Sequence, residues 1–294
     1  MVQKNNPSYG KPPGGGGGGG SKKKGPPSWD EVTYPLPAAL RALVEETRKG
    51  TDPLKNLGLW IDKYLPREKG TWKLTAELRT MVLGTLCRDY QNPAAAEAAK
   101  RLKEGGYGDE VAETTFEART DGRLLVDYGR KNATETALSF HPVLGVPQIP
   151  GSALKGMTRA YLTAIGEPKG KIERLCGSEP EKTPLKRGQV IFFDALPKDG
   201  KFTLSLDVLT PHMGDYYQGK SPPGDFLSPI PHTFLAVTQT TFIIRLSLSP
   251  PPGKPADETE AKETLMTLQS QVKEALNFFG VGAKKAAGYG RLGS

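Results

Sequence analysis

The chain is poor in cysteine and histidine, and it has no long apolar run. Its two cysteines, Cys87 and Cys176, stand far apart and outside any CxxC pattern. That excludes a disulfide framework and a cysteine-built zinc site, and it reads as reduced thiols in a cytoplasmic protein. The three histidines, His141, His212 and His232, fit no metal-ligand spacing, so no metal and no cofactor is expected. No stretch of about 18 consecutive apolar residues occurs, which excludes a membrane-spanning helix. The N-terminus lacks the apolar core of a secretory signal. Acidic residues are missing from two places, residues 1–28 and residues 141–166. The first absence dissects the net charge of +8: Lys4, Lys11, Lys22, Lys23 and Lys24 carry +5 of it, leaving 35 basic against 32 acidic residues in the remainder. The overall basicity is therefore largely a property of the tail, and a nucleic-acid site must show as a local cluster.

What is present divides the chain unevenly. Residues 1–28, with a run of seven glycines followed by three lysines, cannot bury enough apolar surface to offset their ordering entropy and read as a disordered Gly/Pro/Lys-rich arm. Residues 29–294 read as a single domain, opening with a helical region over about 29–115. Helices are predicted at 38–49 and 75–90, and from 93 with Asn92 as N-cap and Pro93 at the first helical position. Period-two or short apolar runs then predict strands at 122–129, 188–196, 202–209 and 241–248. Two amphipathic helices interleave with them, one from Ser152 as N-cap to Ile165 and one from Asp257 to Phe279. Strand, helix, strand, strand, insertion, strand, helix is the order of an α+β, ferredoxin-like or RRM-like (split βαβ) sheet. The insertion, about residues 207–235, is rich in Pro and Gly and carries His212, Tyr216 and Tyr217. A loop of this length in a compact domain is usually functional.

Two segments carry binding chemistry. In HPVLGVPQIPGSALKGMTRAYL, residues 141–162, an extended stretch turns at Gly151-Ser152 into a helix. The first amides of a helix have no internal partner and attract anions. Lys155 and Arg159, four apart, share one face of it. In FFGVGAKKAAGYGRL, residues 278–292, Gly280, Gly282, Gly288 and Gly290 flank Lys284 and Lys285 and end on Tyr289 and Arg291. Glycines allow positive φ and close backbone approach, successive amides can form an anion nest, and Tyr289 offers a stacking face for a base. The spacing is that of neither a Walker loop nor a dinucleotide fingerprint.

Together these segments resemble the RAMP superfamily of CRISPR proteins, whose signature runs through IPGSSLKG and ends in a C-terminal glycine-rich loop. NLGLWIDKYLP (56–66) and FFDALP…LDVLTPHMGDYY (192–217) are similar to the sixth subunit of Cmr-type (type III-B) effector complexes. The resemblance implies a non-catalytic backbone subunit that holds the 3′ region of a guide RNA and helps present it to a target RNA in antiviral defence. It implies sister Cmr subunits as partners, a thumb-like insertion, and no membrane. By position it assigns Gly151, Ser152, Lys155 and Arg159 to the guide-contacting element. The glycine-rich loop receives Gly282, Lys284, Lys285, Gly288, Tyr289, Gly290 and Arg291. Ala153 replaces the signature's second serine. The alternative within the superfamily is a metal-independent endoribonuclease that processes guide precursor, for which His141, with Tyr128 nearby in sequence, is the candidate acid/base. A simple nucleotide-binding module is the third reading.

Overall fold

The computed structural model describes residues 28–34, 36–38, 41, 56–105, 111–130, 132, 134, 136–178, 185–210, 214–220, 222, 224, 231–249 and 257–293. The expected arm before Ser28, nearly all of the helix expected at 38–49, and His212 lie outside the described residues. In chain order the helices within them are α1 (Leu57–Lys63), α2 (Ala76–Thr85), α3 (Pro93–Glu104), α4 (Gly151–Ala164), α5 (Lys169–Cys176), α6 (Gly214–Tyr217) and α7 (Glu258–Phe278). The strands begin with β1 (Val32–Thr33), β2 (Arg67–Glu68), β3 (Asp89–Gln91), β4 (Ala112–Asp121) and β5 (Arg123–Leu124). They continue with β6 (Val190–Phe192), β7 (Leu196–Pro197), β8 (Lys201–Leu209), β9 (His232–Thr238), β10 (Thr241–Leu248) and β11 (Arg291–Gly293).

The fold is mixed α/β; among the described residues β1 and β2 form a small antiparallel pair and two larger antiparallel sheets carry the rest. In the larger, the order is β11-β4-β10-β6, with β7 also paired to β10. β4 and β10 form its centre, in register from Thr241 opposite Arg119 to Leu248 opposite Ala112. The side chains sort by pleat. Thr114 and Phe116 face α7, where Thr114 Oγ1 donates to Gln269 Oε1 at 2.7 Å and Lys273 lies over the Phe116 ring at 5.4 Å. The alternate residue Glu117 faces the other way and pairs with Lys103 of α3 and with Lys198. Helices thus cover both faces. That is why β10 is buried on both sides, including Ile243, Arg245 and Ser247, which its alternation predicts as a polar face. Arg245 is fully buried because it pairs with Glu113 and lies over the Phe193 ring at 4.7 Å.

The smaller sheet has the order β3-β8-β9-β5 and packs against α2, where the hydroxyls of Thr80 and Thr233 meet at 2.7 Å. β8 and β9 are a hairpin, in register from Thr203 opposite Thr238 to Leu209 opposite His232. The segment expected to interrupt one continuous sheet therefore joins two strands of a second one. Residues 122–129 hold only the two-residue β5; the long strand is β4, just before. β4 does alternate, burying Ala112, Phe116, Ala118 and Thr120, but three of its four inward residues are Ala or Thr, too small or polar for the apolar pattern to stand out. The expected helical region before residue 115 also contains β1, β2, β3 and the start of β4.

Caps follow local chemistry. Asn92 accepts from the Ala95 amide, and Pro93 opens α3. Asp257 accepts from Thr259 and Glu260 at the start of α7. Asn56 caps α1 and donates to the Pro142 carbonyl at 2.7 Å, fastening α1 to the loop before α4.

Candidate nucleic-acid interface

At the start of α4, Ile149 bridges to Ala195 in the bulge between β6 and β7. Pro150 occupies the N-cap and Gly151 the first helical position, so the cap lies two residues earlier than expected and Ser152 is not the cap. Glycine is required there: a Cβ at residue 151 would lie 2.0 Å from the Phe192 carbonyl oxygen. The Gly151 amide donates to Asp194 Oδ1 at 2.7 Å. The protein thereby places a carboxylate of its own at the helix start, where the dipole favours it. Arg159 turns toward α5, donating to the carbonyls of Cys176 and Gly177 at 3.0 and 2.6 Å and capping that helix's C-terminus. Ser152 is exposed and Lys155 half-buried.

The glycine-rich loop connects α7 to β11. Gly282 and Gly290 have φ of +90° and +82°, and a Cβ would meet the Leu125 and Val281 carbonyl oxygens at 2.2 and 2.1 Å. Lys284 adopts φ +58°. Backbone bonds run inward: Ala283 donates to Leu125 at 2.7 Å, Gly290 to Arg123 and Val281 to Gly290, both at 2.8 Å. With those amides used inside the protein, attraction for an anion rests on the exposed side chains of Lys284, Lys285 and Arg291. Tyr289 is turned in. Its hydroxyl donates to Asp207 Oδ2 at 2.5 Å and its ring lies 6.3 Å from that of Phe234. Burial first, and then the bond to the Asp207 carboxylate, push its phenol up to about 12.

The two motifs sit at opposite edges of the larger sheet, α4 beginning at the β6–β7 edge and the loop leading into β11. Extended segments join them. Ala283 donates to Leu125, Ser139 to the Val126 carbonyl at 2.9 Å, and Gln148 to the Ser139 carbonyl at 2.9 Å, one residue before the Ile149 bridge. This staircase of backbone bonds, from residue 283 through 125–126 and 139 to 148, is invisible to motif reading because its links are main-chain atoms of unremarkable residues.

The remaining candidates separate. Tyr216 and Tyr217 are 45% and 81% exposed on α6, rings 5.5 Å apart. His141 Nδ1 accepts from the amides of Val143 and Leu144 at 3.3 and 3.2 Å, so the imidazole shapes its own turn. Tyr128 engages Lys284, whose ammonium lies 5.3 Å from its ring centroid, and packs edge-on against Phe234. Among the described residues no group of three or more His, Cys, Asp or Glu could hold a metal ion, and no helix is long and apolar enough to cross a membrane.

Residues 16–293 match the RAMP superfamily. The chain belongs to that superfamily. Among its relatives, this RAMP chain is 33% identical over 238 residues to the CRISPR system Cmr subunit Cmr6 of Pyrococcus furiosus, covering 60% of the chain and 67% of the relative. It is 33% identical over 102 residues to the CMR subunit Cmr6 of Saccharolobus solfataricus, covering 33% of the chain and 34% of that protein. The crystal structure of Cmr6 from Pyrococcus furiosus aligns with a TM-score of 0.37 at 30% identity, over 62% of this chain and 98% of that one.

Proposed function

We propose that this RAMP protein is a non-catalytic backbone subunit of a type III-B CRISPR effector. It binds the 3′ region of a guide RNA, helps present it for pairing with a target RNA, and assembles with the other Cmr subunits. The observation that carries the reading is the 33% identity to the Pyrococcus Cmr6 subunit, spanning two thirds of that relative. The geometry supports it. Lys284 and Lys285 stand exposed on a loop whose backbone is locked and Arg291 at the start of the strand it enters, and the main-chain staircase joins that loop to Ser152 and Lys155. Such a surface grips phosphates and leaves sequence to base pairing. Gly151, Gly282, Gly288 and Gly290 set the backbone, while Arg159 and Tyr289 hold the elements in place. The strand order β11-β4-β10-β6, with α4 and α7 packed together and α7 on the face of Phe116, supports reading the larger sheet as a ferredoxin-like split βαβ. The β8–β9 hairpin is then the base of the thumb, with Tyr216 and Tyr217 toward its tip. His141 spends Nδ1 on its own turn, which favours the non-catalytic reading over the endoribonuclease one.

The test is co-purification: the tagged full chain, expressed with its sister subunits, should bring down guide RNA and those subunits. Recovery of the chain alone, or site-specific cutting of guide precursor by the purified chain, overturns the proposal.

A further inference from the structure

We infer that Asp207 is a positioning residue that couples the glycine-rich loop to the β8–β9 hairpin, so that RNA held on the loop stiffens the thumb; the inference rests on the RNA-binding reading above. Asp207 stands on β8, directly opposite Phe234 on β9, and its carboxylate is mostly buried, 19% exposed. Asp207 Oδ2 accepts from the Tyr289 hydroxyl at 2.5 Å and pairs with Arg123 Nε at 3.3 Å. One oxygen thus ties the hairpin to the end of the loop and to β5.

The opposite strand is tied as well. Phe234, with no exposed surface, packs between Tyr289, at 6.3 Å, and Tyr128, at 5.4 Å in an edge-on contact. Lys284 covers the other side of this group, its ammonium 5.3 Å from the Tyr128 centroid. The contacts run from an exposed cation on the loop through three aromatic rings to a carboxylate on the hairpin. A phosphate held by Lys284 in its place over Tyr128 orders this group of rings. The ordering reaches both strands of the hairpin, because Asp207 and Phe234 are cross-strand partners.

The coupling is read by hydrogen exchange of the β8 and β9 amides in the full chain, with and without a single-stranded oligouridylate at low salt. In the wild type, RNA should slow hairpin exchange by about tenfold, the size of one charge-assisted hydrogen bond. Tyr289→Phe and Asp207→Asn should keep RNA affinity within about threefold yet lose most of that slowing, and the double variant should be no worse than either single one. A purely structural role predicts otherwise: faster hairpin exchange with the RNA-dependent slowing intact. That result, or additive effects in the double variant, overturns the coupling alone. A wild-type chain that does not bind the oligouridylate overturns the RNA-binding surface together with it.

Discussion

Two glycines of one loop illustrate how neighbours, rather than φ alone, decide the effect of a side chain. Gly282 and Gly288 have nearly the same φ, +90° and +88°, but a Cβ at 282 would strike the Leu125 carbonyl oxygen at 2.2 Å while one at 288 meets nothing within 4 Å. Gly288→Ala should cost about 1–2 kcal/mol from backbone strain alone. Gly282→Ala should cost more than that, because the bond from Ala283 to Leu125 must shift as well. Denaturant midpoints of the two variants check the ordering. Tyr289 offers a spectroscopic marker at the same scale. Its phenol is raised from the ordinary 10 to about 12, so the folded state favours the neutral form. The stabilisation is present in full below pH 10 and fades as pH climbs from 10 to 12. Absorbance titration should show one tyrosine ionising near pH 12, absent in Tyr289→Phe.

At the scale of elements, two carboxylates hold helices and strands to each other. Asp194, in the bulge between β6 and β7, receives the Gly151 amide. Asp194→Ala should destabilise the protein by about 1 kcal/mol, as loss of a helix cap does, measured as a shift in the urea midpoint. The Glu113–Arg245 pair joins β4 to β10 on the face of α3, with the arginine fully buried and the carboxylate partly exposed. Removing the acid takes the carboxylate away from a buried cation, so Glu113→Ala should cost about 3 kcal/mol. Replacing both residues by leucine should cost much less. Thermal melts of the single and double variants separate the two outcomes.

For the whole molecule, the expected signature is salt-dependent, sequence-independent RNA binding. Lys155→Ala should weaken binding nearly uniformly across sequences and lower the salt slope by about 0.7, and Lys284→Ala with Lys285→Ala by up to about 1.4, as for single-stranded phosphate contacts. Filter binding across a salt series measures both. Unchanged slopes in both variants would remove these three lysines from the interface. Deleting residues 1–27, which hold all five tail lysines and no acid, should weaken binding at low salt and leave it nearly unchanged at high salt, since exposed charges act only within a Debye length.

The sequence alone determined what depends on near neighbours along the chain. The cap Asn92, the amphipathic stripes of α4 and α7 and the strand β10 were all legible. So were the two motifs that led to the superfamily, because helix periodicity and capping are set within a few residues. Tertiary structure decided what depends on distant partners. It assigned β8 to a second sheet, since strand pairing is chosen by long-range register and not by alternation. It took β4 from Ala and Thr residues whose inward face becomes apolar only when Phe242, Ile244 and Leu246 of β10 lie beside it. It gave the start of α4 to Asp194, turned Arg159 onto the end of α5 and Tyr289 onto Asp207, each bond joining residues 17 or more positions apart. A residue's type states which bonds it can make; which ones it makes is settled by the groups that folding brings within about 3 Å.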